Sequence, residues 1–253
     1  MSLKGKVVIV TGSSSGVGAA TARLLASRGC HVAINYASSE QPAKKVAAEC
    51  EALGVETIVV KANVAVDEDC RRLVDSALEK WGRIDGLVNN AGKTKFVPHD
   101  QLSGLEKDDF FDIYGVNVVG PYQMIRAAET ALRASGHAWV VNVASIAGVR
   151  GIGSSIAYAA SKGALLTMTQ SLARSMGPEI RVNAVCPGFI QGEWLEKGIG
   201  DSYKKIMSDL EASAPLQLTC TPETVADSIV SFLEGHSVVT GQYIILDGGQ
   251  YLV

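Results

Sequence analysis

At 253 residues, the chain is long enough for one large α/β domain or two small ones. Hydrophobic residues make up 47% and charged residues 19%, which is ordinary for a globular protein. The net charge of −3 argues against non-specific binding to nucleic acid, which needs a basic surface. The sequence has no apolar run of about 18 residues and no histidine spacing typical of a metal site. We therefore expect neither a membrane span nor a bound metal.

The cysteines indicate a reducing environment. Their number, five, is odd, and no two of them form a Cys-x-x-Cys pair. Free thiols of this kind are typical of cytosolic proteins, whereas disulfide frameworks are typical of secreted ones. The amino-terminal segment also lacks an apolar region followed by a cleavage site. We therefore expect a cytoplasmic protein.

Short apolar runs alternate with segments of helical spacing along the whole chain. The predicted strands are rich in β-branched residues, as in strands buried on both faces, and they comprise 7–10, 32–34, 57–60, 86–88, 139–143, 181–185 and 243–246. The predicted helices comprise about 17–28, 40–53, 67–81, 105–134, 157–176 and 222–234. This alternation predicts an α/β fold: one doubly wound, mainly parallel seven-stranded sheet with helices on both faces. No linker interrupts the pattern, so we expect a single domain over residues 1–253.

Two stretches, 93–106 and 188–221, are the least regular, and loops of that length in a compact domain are often functional. The second stretch contains an apolar stripe at helical spacing, formed by Ile199, Tyr203, Ile206, Met207 and Leu210. One interpretation is that the stripe merely packs on the body of the protein. The other is that residues 188–213 cover a partly apolar substrate, with Phe96 and Trp194 lining the same pocket.

A glycine-rich loop lies between the first predicted strand and the first predicted helix. Its sequence is Thr11-Gly12-Ser13-Ser14-Ser15-Gly16-Val17-Gly18. Glycines permit a tight turn and close approach of the backbone to a pyrophosphate, and the helix offers free N–H groups and its positive dipole end. The spacing G-x-x-x-G-x-G differs from the usual G-x-G-x-x-G. Glycines also mark plain turns, but the placement between strand and helix favours a nucleotide site.

The segment Asn89-Asn90-Ala91-Gly92 follows the fourth predicted strand. In open α/β sheets, ligands bind beyond the carboxyl ends of the strands. Asn and Gly are also good turn formers, so a capped turn is the alternative. Two adjacent asparagines directly after an apolar strand favour a binding site.

Tyr158 and Lys162 are candidates for proton transfer. Residues four apart lie on one face of a helix. A free tyrosine titrates at about pH 10, and a neighbouring ammonium favours the phenolate, so we expect Lys162 to lower the pKa of Tyr158. Ser145 follows the fifth strand, where its hydroxyl is able to hydrogen-bond a substrate oxygen. Taken singly, each of these residues is commonplace.

In this order, the motifs resemble those of the short-chain dehydrogenase/reductase family, in its compact single-domain branch. The resemblance covers essentially the whole chain and is strongest to 3-oxoacyl-carrier-protein reductases and glucose-dehydrogenase-like members. It implies a seven-stranded Rossmann sheet, an NAD or NADP cofactor, and hydride transfer between the nicotinamide and a carbonyl or alcohol carbon. It also implies that Tyr158 is the general acid and base, that Lys162 holds the nicotinamide ribose, and that Ser145 orients the carbonyl.

Asn117 resembles the fourth member of the family's catalytic set. Pro121 stands four residues later and has no N–H, so the carbonyl of Asn117 loses its helical partner. A buried carbonyl without a partner recruits water, and the family uses such a water to pass protons from the lysine to solvent. A simple helix kink is the alternative.

The expected cofactor contacts lie in the glycine loop, at the ends of the strands and around the catalytic helix. They are Gly12, Ser14, Ser15, Gly16, Val17, Gly18, Tyr36, Ser38, Asn63, Val64, Asn89, Ala91, Gly92, Tyr158, Lys162, Pro187, Gly188 and Ile190. Two of these regions depart from the family pattern. Gly192 stands where a threonine is frequent, and Gln191 is a candidate substitute. Asn63 stands where an aspartate usually contacts adenine, a contact that the Asn amide is able to keep.

The end of the second strand bears on the choice between NADP and NAD. A carboxylate there binds the ribose 2′-hydroxyl and repels a 2′-phosphate. Tyr36 stands in that place, and Ser38 or Ser39 is able to donate to a phosphate. Ser15, however, stands where family enzymes that use NADP often have a basic residue. We expect NADP(H) to be preferred and NAD(H) to remain usable.

Two other functional interpretations compete with an enzyme. A nucleotide-sensing binding protein on the same fold would show degraded catalytic positions, whereas all four are intact. Extended epimerase/dehydratase relatives have G-x-x-G-x-x-G and a longer carboxyl-terminal domain, both absent here. We expect a small-molecule carbonyl or alcohol as substrate, with no nucleic-acid or membrane partner. We also expect a homotetramer, since small residues on two helices allow close packing: Ala127, Ala128, Ala131, Ala164 and Ala173.

Overall fold

The computed structural model describes residues 2–253 and contains a seven-stranded sheet. The strands are β1 (Val7–Val10), β2 (His31–Tyr36), β3 (Thr57–Lys61), β4 (Gly86–Asn89), β5 (Ala138–Val143), β6 (Ile180–Pro187) and β7 (Tyr243–Leu246). Their order is β3-β2-β1-β4-β5-β6-β7, and every neighbouring pair is parallel. The predicted doubly wound α/β fold is therefore confirmed, with a sheet parallel throughout.

The helices follow the strands as crossover connections. They are α1 (Gly16–Ser27), α2 (Glu40–Glu51), α3 (Asp67–Trp81), α4 (Lys107–Tyr114), α5 (Gly120–Ala134), α6 (Ala147–Arg150), α7 (Ile156–Met176), α8 (Glu193–Ile199), α9 (Tyr203–Ser213) and α10 (Pro222–Glu234). No helix within residues 2–253 is both long enough and apolar enough to cross a membrane.

The sheet separates two hydrophobic cores, because alternate side chains of a strand point to opposite faces. In β1, Val8 and Val10 contribute to the core beneath α1, α2 and α10, whereas Ile9 contributes to the core beneath α3, α5 and α7. All three side chains are fully buried. This explains the continuous β-branched run that predicted the strand.

The chain reverses its direction of winding at β1, which lies between β2 and β4. The loops after β1 and β4 leave the sheet toward opposite faces and open a crevice at its carboxyl edge, where such folds bind ligands. The loops after β5 and β6 reach the same edge. The topology thus gathers the predicted site residues along one edge of the sheet.

The helix predicted over 105–134 is wrong in detail. The structure divides it into α4 and α5, which are joined by a π-helical turn at Gly115–Val119. Pro121 occupies the first turn of α5 and has no N–H to donate into the preceding turn. The chain responds by widening one turn, and π-helical turns of this kind are frequent at functional sites.

The expectation of an irregular stretch over 188–221 is also wrong in part, because α8 and α9 lie within it. Both helices lack fully buried residues, and Gly200, with φ +67°, separates them. The apolar stripe at helical spacing lies mainly on α9, so the helical interpretation of that stripe agrees with the structure.

Two of the alanines expected on an outer helix face lie inside the protein. Ala128 and Ala173 are buried beneath α5 and α7 in the core of that face of the sheet. Ala127, Ala131 and Ala164 are half-buried and remain on the outside. The stripe of small residues therefore serves packing within the chain as well as any surface contact.

Candidate active site

The glycine-rich loop leaves β1 and enters α1 through two glycines in the left-handed region. Gly12 has φ +62° and Gly16 has φ +53°. A Cβ on Gly12 would lie 2.9 Å from the Cα of Ala91, so the loop packs directly on the segment after β4. A Cβ on Gly16 would meet nothing within 4 Å, which leaves the outer side of the loop open. The loop is thus closed toward the protein and open toward the crevice.

Two asparagines, Asn35 and Asn90, hold the loop in place. The Asn35 Oδ1 accepts the Gly12 N–H at 2.9 Å, and the Asn90 Nδ2 donates to the carbonyls of Thr11 and Gly12 at 2.9 and 3.0 Å. The Ala91 N–H donates to the Thr11 Oγ1 at 3.0 Å. These hydrogen bonds of Asn35, Asn90 and Thr11 do not follow from the sequence alone. Its two signals are the polar Asn35 in an otherwise apolar strand and the asparagine pair at the end of β4.

The amino terminus of α1 suits an anion. Ser15 precedes the helix and makes no side-chain hydrogen bond to it, and the first turn carries no acidic residue. The first N–H groups and the positive end of the dipole therefore face the open side of the loop. Ser14 is half-buried and Ser15 is exposed beside them, whereas Val17 and Gly18 are buried beneath the turn. These residues fit the pyrophosphate of a dinucleotide.

The ends of β2 and β3 form the far side of this crevice. Tyr36 ends β2 and is buried, whereas Ser38 is exposed and Ser39 makes no side-chain cap to α2. Lys61 is the register partner of Tyr36 on β3, and its charge helps to lower the pKa of Glu40, after the larger effect of the Lys44 partner. The register therefore brings to this edge a cation that no local motif indicates.

Asn63 and Val64 follow β3 at the same edge. The Asn63 Oδ1 accepts the Ala65 N–H at 3.1 Å, and the Asn63 N–H donates to the Asp69 Oδ2 at 2.7 Å. Val64 is buried against Gly120. Asn63 thus shapes its own turn while its side chain stays exposed at the crevice.

Tyr158, Lys162 and Ser145 lie together at the carboxyl edge of β5 and β6. The Lys162 Nζ donates to the Val143 carbonyl at 2.7 Å and lies 5.7 Å from the centroid of the Tyr158 ring. The Ser145 hydroxyl hydrogen-bonds the Tyr158 side chain. A Cβ on Gly148 would lie 2.5 Å from the Gly163 N, so α6 packs tightly on α7 and brings Ser145 to the tyrosine.

Burial dominates the titration of this pair. It raises the pKa of Tyr158 to about 12, although the hydrogen bond with Ser145 acts in the opposite direction. Burial lowers the pKa of Lys162 to about 8. The expectation that Lys162 lowers the pKa of Tyr158 is therefore not met in this state, because the ammonium is directed to the Val143 carbonyl. Each group is instead shifted toward its neutral form.

Asn117 lies in the π-helical turn and faces the segment after β4. Its Oδ1 accepts the Lys93 N–H at 2.8 Å, and its Nδ2 donates to the Lys93 carbonyl at 2.9 Å and to the Ser161 Oγ at 3.0 Å. The Ser161 hydroxyl donates in turn to the Tyr158 carbonyl at 2.7 Å. The side chain therefore joins three segments of the site.

The segment after β4 carries three more of the expected contacts. The Asn89 Nδ2 donates to the Asn142 Oδ1 at 2.9 Å, so this side chain lies in the sheet rather than in the crevice, and its own Oδ1 has no partner. Ala91 packs on Gly12. A Cβ on Gly92 would lie 3.9 Å from the Lys162 Nζ, which places Gly92 beside the catalytic candidates.

The segment after β6 forms the last wall. The Pro187 carbonyl accepts hydrogen bonds from the Ile146 N–H and the Ser145 hydroxyl, and Gly188 packs against Asp247. Ile190 forms an isolated bridge with Cys220. Gln191 was a candidate to replace the missing threonine. The structure does not support this role, because the Gln191 Nε2 donates to the Glu211 Oε1 and the Thr219 Oγ1 instead.

Aromatic side chains cover Tyr158. The Trp194 ring, on α8, lies 6.4 Å from the Tyr158 ring, and the Phe96 ring lies 5.7 Å from Trp194. Tyr203, from the predicted stripe, contacts Phe189 with the ring centroids 5.4 Å apart, and its hydroxyl accepts the Gly192 N–H. The structure thus brings Phe96 and Trp194 to the site, while Tyr203 holds α9 against the loop after β6.

The comparisons with known proteins agree with this geometry. Residues 12–250 match a family model described as Enoyl-(Acyl carrier protein) reductase. The chain is 41% identical to a Streptomyces violaceoruber protein provisionally named ketoacyl reductase 2 of the granaticin polyketide synthase, over 98% of this chain and 96% of the relative. It is 36% identical to L-rhamnose 1-dehydrogenase (NAD(P)(+)) of a Sphingomonas species, over 99% and 98%.

A crystal structure provisionally assigned as a short-chain dehydrogenase/reductase from Burkholderia xenovorans has the same fold. The TM-score is 0.92 at 40% identity, over 98% of this chain and 99% of the other. The chain belongs to the short-chain dehydrogenase/reductase family and is an NAD(P)-dependent oxidoreductase that acts on a carbonyl or alcohol carbon. The alternative of a nucleotide-sensing protein without turnover is not favoured, because the named relatives are oxidoreductases.

Proposed function

We infer that the protein reduces a ketone to a secondary alcohol, or runs the reverse reaction, with Tyr158 as the proton donor and acceptor. The observation that carries this proposal is the meeting of Tyr158, Ser145 and Lys162 at the sheet edge that also carries the glycine loop. When bound, the nicotinamide supplies or accepts the hydride. The residues of the chain do the rest: they orient the carbonyl and move one proton.

Each residue has a role that follows from its surroundings. The Ser145 hydroxyl contacts the Tyr158 side chain, so a carbonyl oxygen placed between them accepts two hydrogen bonds. Tyr158 is protonated at neutral pH, because burial raises its pKa to about 12, and it therefore enters a reduction as an acid. Lys162 follows one turn later and stabilises the negative charge that forms on the tyrosine oxygen.

The proton that Tyr158 gives up must be replaced from solvent. Lys162, with a pKa lowered to about 8 by burial, exchanges protons readily near neutral pH. Asn117 lies in the widened turn, where Pro121 provides no N–H, and its carbonyl is the acceptor that we expect to hold a relay water. This path leads from Tyr158 through Lys162 to the surface.

The test of the mechanism is the substitution Tyr158→Phe, which keeps the ring and removes the proton. We expect turnover of a ketone with NADPH to fall at least about a hundredfold, the lower end for loss of acid/base catalysis. Tyr243→Phe, at the exposed start of the edge strand β7, is the matched control and should change nothing. Turnover within a few-fold of normal in Tyr158→Phe, with an unchanged melting temperature, would falsify the mechanism.

The preference for NADPH is part of the proposal. Tyr36 places no negative charge at the end of β2, and the exposed Ser38 and the uncapped Ser39 have hydroxyls to offer a phosphate. Lys61 adds a positive charge at the same edge. The buried Ser13 does not contribute, because its hydroxyl donates to the Val10 carbonyl and accepts the Asn35 N–H.

The proposal also covers the domain organisation, the substrate class and the location of the protein. We take residues 1–253 as one catalytic domain in which α8 and α9, within 188–213, cover a partly apolar substrate. The aromatic contacts of Trp194 and the name of the Streptomyces relative support a ketone or 3-oxoacyl compound. A cytoplasmic location is supported by five buried cysteines that are all free.

A further inference from the structure

Three aromatic rings stand in a row at the entrance to the catalytic tyrosine. The Tyr158 and Trp194 ring centroids are 6.4 Å apart at an angle of 50°, and those of Trp194 and Phe96 are 5.7 Å apart at 59°. Tilted contacts at these distances are the favourable geometry for aromatic pairs. We call Phe96 and Trp194 the aromatic clamp.

The clamp is built from two separate segments that fit each other closely. Phe96 comes from the loop after β4, and Trp194 from α8. The Phe96 ring lies against Gly198, where a Cβ would come within 2.1 Å of the ring carbons. Only a glycine allows this approach, so α8 and the Phe96 ring fix each other's position.

The clamp still has free aromatic surface. Trp194 is 52% exposed although it lies beside the catalytic tyrosine. A large apolar side chain half-exposed next to a catalytic group is a surface that a ligand is able to bury. The free face of Trp194 is therefore available to a group attached to the reacting carbon.

The lysines next to the clamp are neutralised by partners. The Lys95 Nζ lies 2.7 Å from the Asp109 Oδ2, and the Lys197 Nζ lies 2.9 Å from the Glu193 Oε2. Neither lysine is left to pair with a carboxylate or phosphate close to the reacting carbon. The clamp therefore offers aromatic surface to a ligand, while these two lysines are already paired with carboxylates.

We propose that the substrate is a ketone with a flat aromatic or conjugated ring directly attached to the carbonyl, and that this ring lies against Trp194 and Phe96. The proposal rests on the proposed function and names its substrate class. In the reaction, the carbonyl carbon takes the hydride from NAD(P)H and the oxygen takes the proton from Tyr158. The products are a benzylic-type alcohol and NAD(P)+.

The test compares two ketones of equal carbon number, acetophenone and cyclohexyl methyl ketone, with NADPH. The measured quantity is kcat/KM for acetophenone divided by kcat/KM for cyclohexyl methyl ketone. The two ketones differ in intrinsic reactivity, but this difference is the same for every variant, so only the change in the ratio between variants is interpreted. Trp194→Leu keeps an apolar side chain and removes the ring, whereas Trp194→Phe keeps a ring. Trp81→Phe is the control, since Trp81 stacks on His31 far from Tyr158.

We expect Trp194→Leu to lower the ratio about tenfold, in the range of one aromatic contact. Trp194→Phe should stay within about threefold of the unmodified protein, and Trp81→Phe should not change the ratio. If both ketones are reduced and Trp194→Leu affects them equally or not at all, the inference is wrong and the proposed function stands.

A binding measurement separates failure of the inference from failure of the proposed function. Tryptophan fluorescence is followed while 1-phenylethanol or 1-cyclohexylethanol is added. The same titration of Trp194→Phe gives the contribution of Trp81 and Trp139, which is subtracted to leave the signal of Trp194. Quenching by the phenyl compound alone supports the aromatic binding site at Trp194, and if neither ketone is then reduced, the proposed function fails while the binding site stands. Equal quenching by both alcohols, or none, overturns the inference.

Discussion

The amino group of Lys162 is buried away from water, and its burial makes the charged form less favourable in the folded protein. Its ordinary pKa of 10.5 is lowered to about 8 by burial, and its amino group donates a hydrogen bond to the Val143 carbonyl. A buried ammonium is stabilised less than a hydrated one, so the folded state binds its proton more weakly than the unfolded state does. The stability of the protein must therefore depend on pH through this one group.

The sign of that dependence follows from the two pKa values. Between about pH 8 and 10.5 the unfolded chain holds the Lys162 proton and the folded chain does not, so stability rises with pH. Above pH 10, Tyr158 acts in the opposite direction, because its folded pKa is raised to about 12. We expect the free energy of unfolding of the unmodified protein, relative to Lys162→Met, to rise by about 1 to 2 kcal/mol between pH 7.5 and 9.5. The measurement is urea denaturation of both proteins at each pH. If the difference between their free energies of unfolding does not change with pH, the prediction is wrong.

Tyr36 is the residue on which the proposed preference for NADPH depends. We expect kcat/KM to favour NADPH over NADH by roughly tenfold to a hundredfold, since two hydroxyl contacts contribute about 1 kcal/mol each or somewhat more to a charged oxygen. Tyr36→Asp should reverse the preference, because the carboxylate repels the 2′-phosphate and accepts the ribose 2′-hydroxyl. A tenfold preference for NADH in the unmodified protein would mean that the missing basic residue at Ser15 decides the matter.

Single residues differ in how far the sequence predicts their part. Tyr158, Lys162 and Ser145 stand in a local pattern, and the structure brings them together. Asn35 and Asn90 belong to no local pattern, because their hydrogen bonds to the glycine loop join residues 23 and 78 positions apart. Such bonds depend on which strands become neighbours, and no local pattern records that.

At the scale of elements, the clamp depends on one helix of seven residues, α8. Nothing in it is fully buried, so its position rests on side-chain contacts such as that between Gly198 and Phe96. Elements with few buried contacts open at low free-energy cost, and segments that cover a ligand are commonly of this kind. The contact at Gly198 is therefore the point at which the cover is most sensitive to a small change.

We expect Gly198→Ala to displace the Phe96 ring rather than unfold the chain, since the contacting atoms are the far end of a side chain. KM for a ketone should rise several-fold while the melting temperature changes by no more than about 2 °C. Phe96→Ala should remove the conflict, so the effects of the two substitutions should not add in the double variant. Additive effects would show that Gly198 acts without Phe96.

The elements themselves were predicted unevenly, for physical reasons. The strands follow from continuous β-branched runs, because both faces of a parallel sheet are buried. The π-helical turn does not follow from the sequence: Pro121 shows that a hydrogen bond is lost, but a kink, a break or a widened turn each accommodates the loss. The stripe from Ile199 to Leu210 shows helical spacing in the sequence, but it does not fix where α8 and α9 begin and end, because neither helix has a fully buried residue.

At the scale of the whole molecule, α4 and α5 present apolar side chains to solvent. Phe111 on α4 is 63% exposed, and Val119 in the π-helical turn and Tyr122 on α5 are also exposed. Large apolar side chains exposed on neighbouring elements are a feature of interfaces. Together with the half-buried Ala127 and Ala131, it supports the homotetramer that we propose.

Sedimentation velocity at micromolar concentration should show a tetramer for the unmodified protein. Phe111→Glu should shift it toward smaller species, because a buried unpaired carboxylate is costly at an interface. Leu53→Glu, at the exposed end of α2, is the control and should leave the tetramer intact. A monomer in the unmodified protein would overturn the proposed assembly.

The hydrogen bonds of the glycine loop also order events during synthesis. The loop is complete in sequence once residue 18 has been made, yet its shape requires Asn35 from β2 and Asn90 from beyond β4. A nascent chain shorter than about one third of the protein thus holds the dinucleotide motif without the means to form it. The cofactor is able to bind only once β1 lies between β2 and β4. Its binding therefore stabilises only chains whose central strands have already assembled in the correct order.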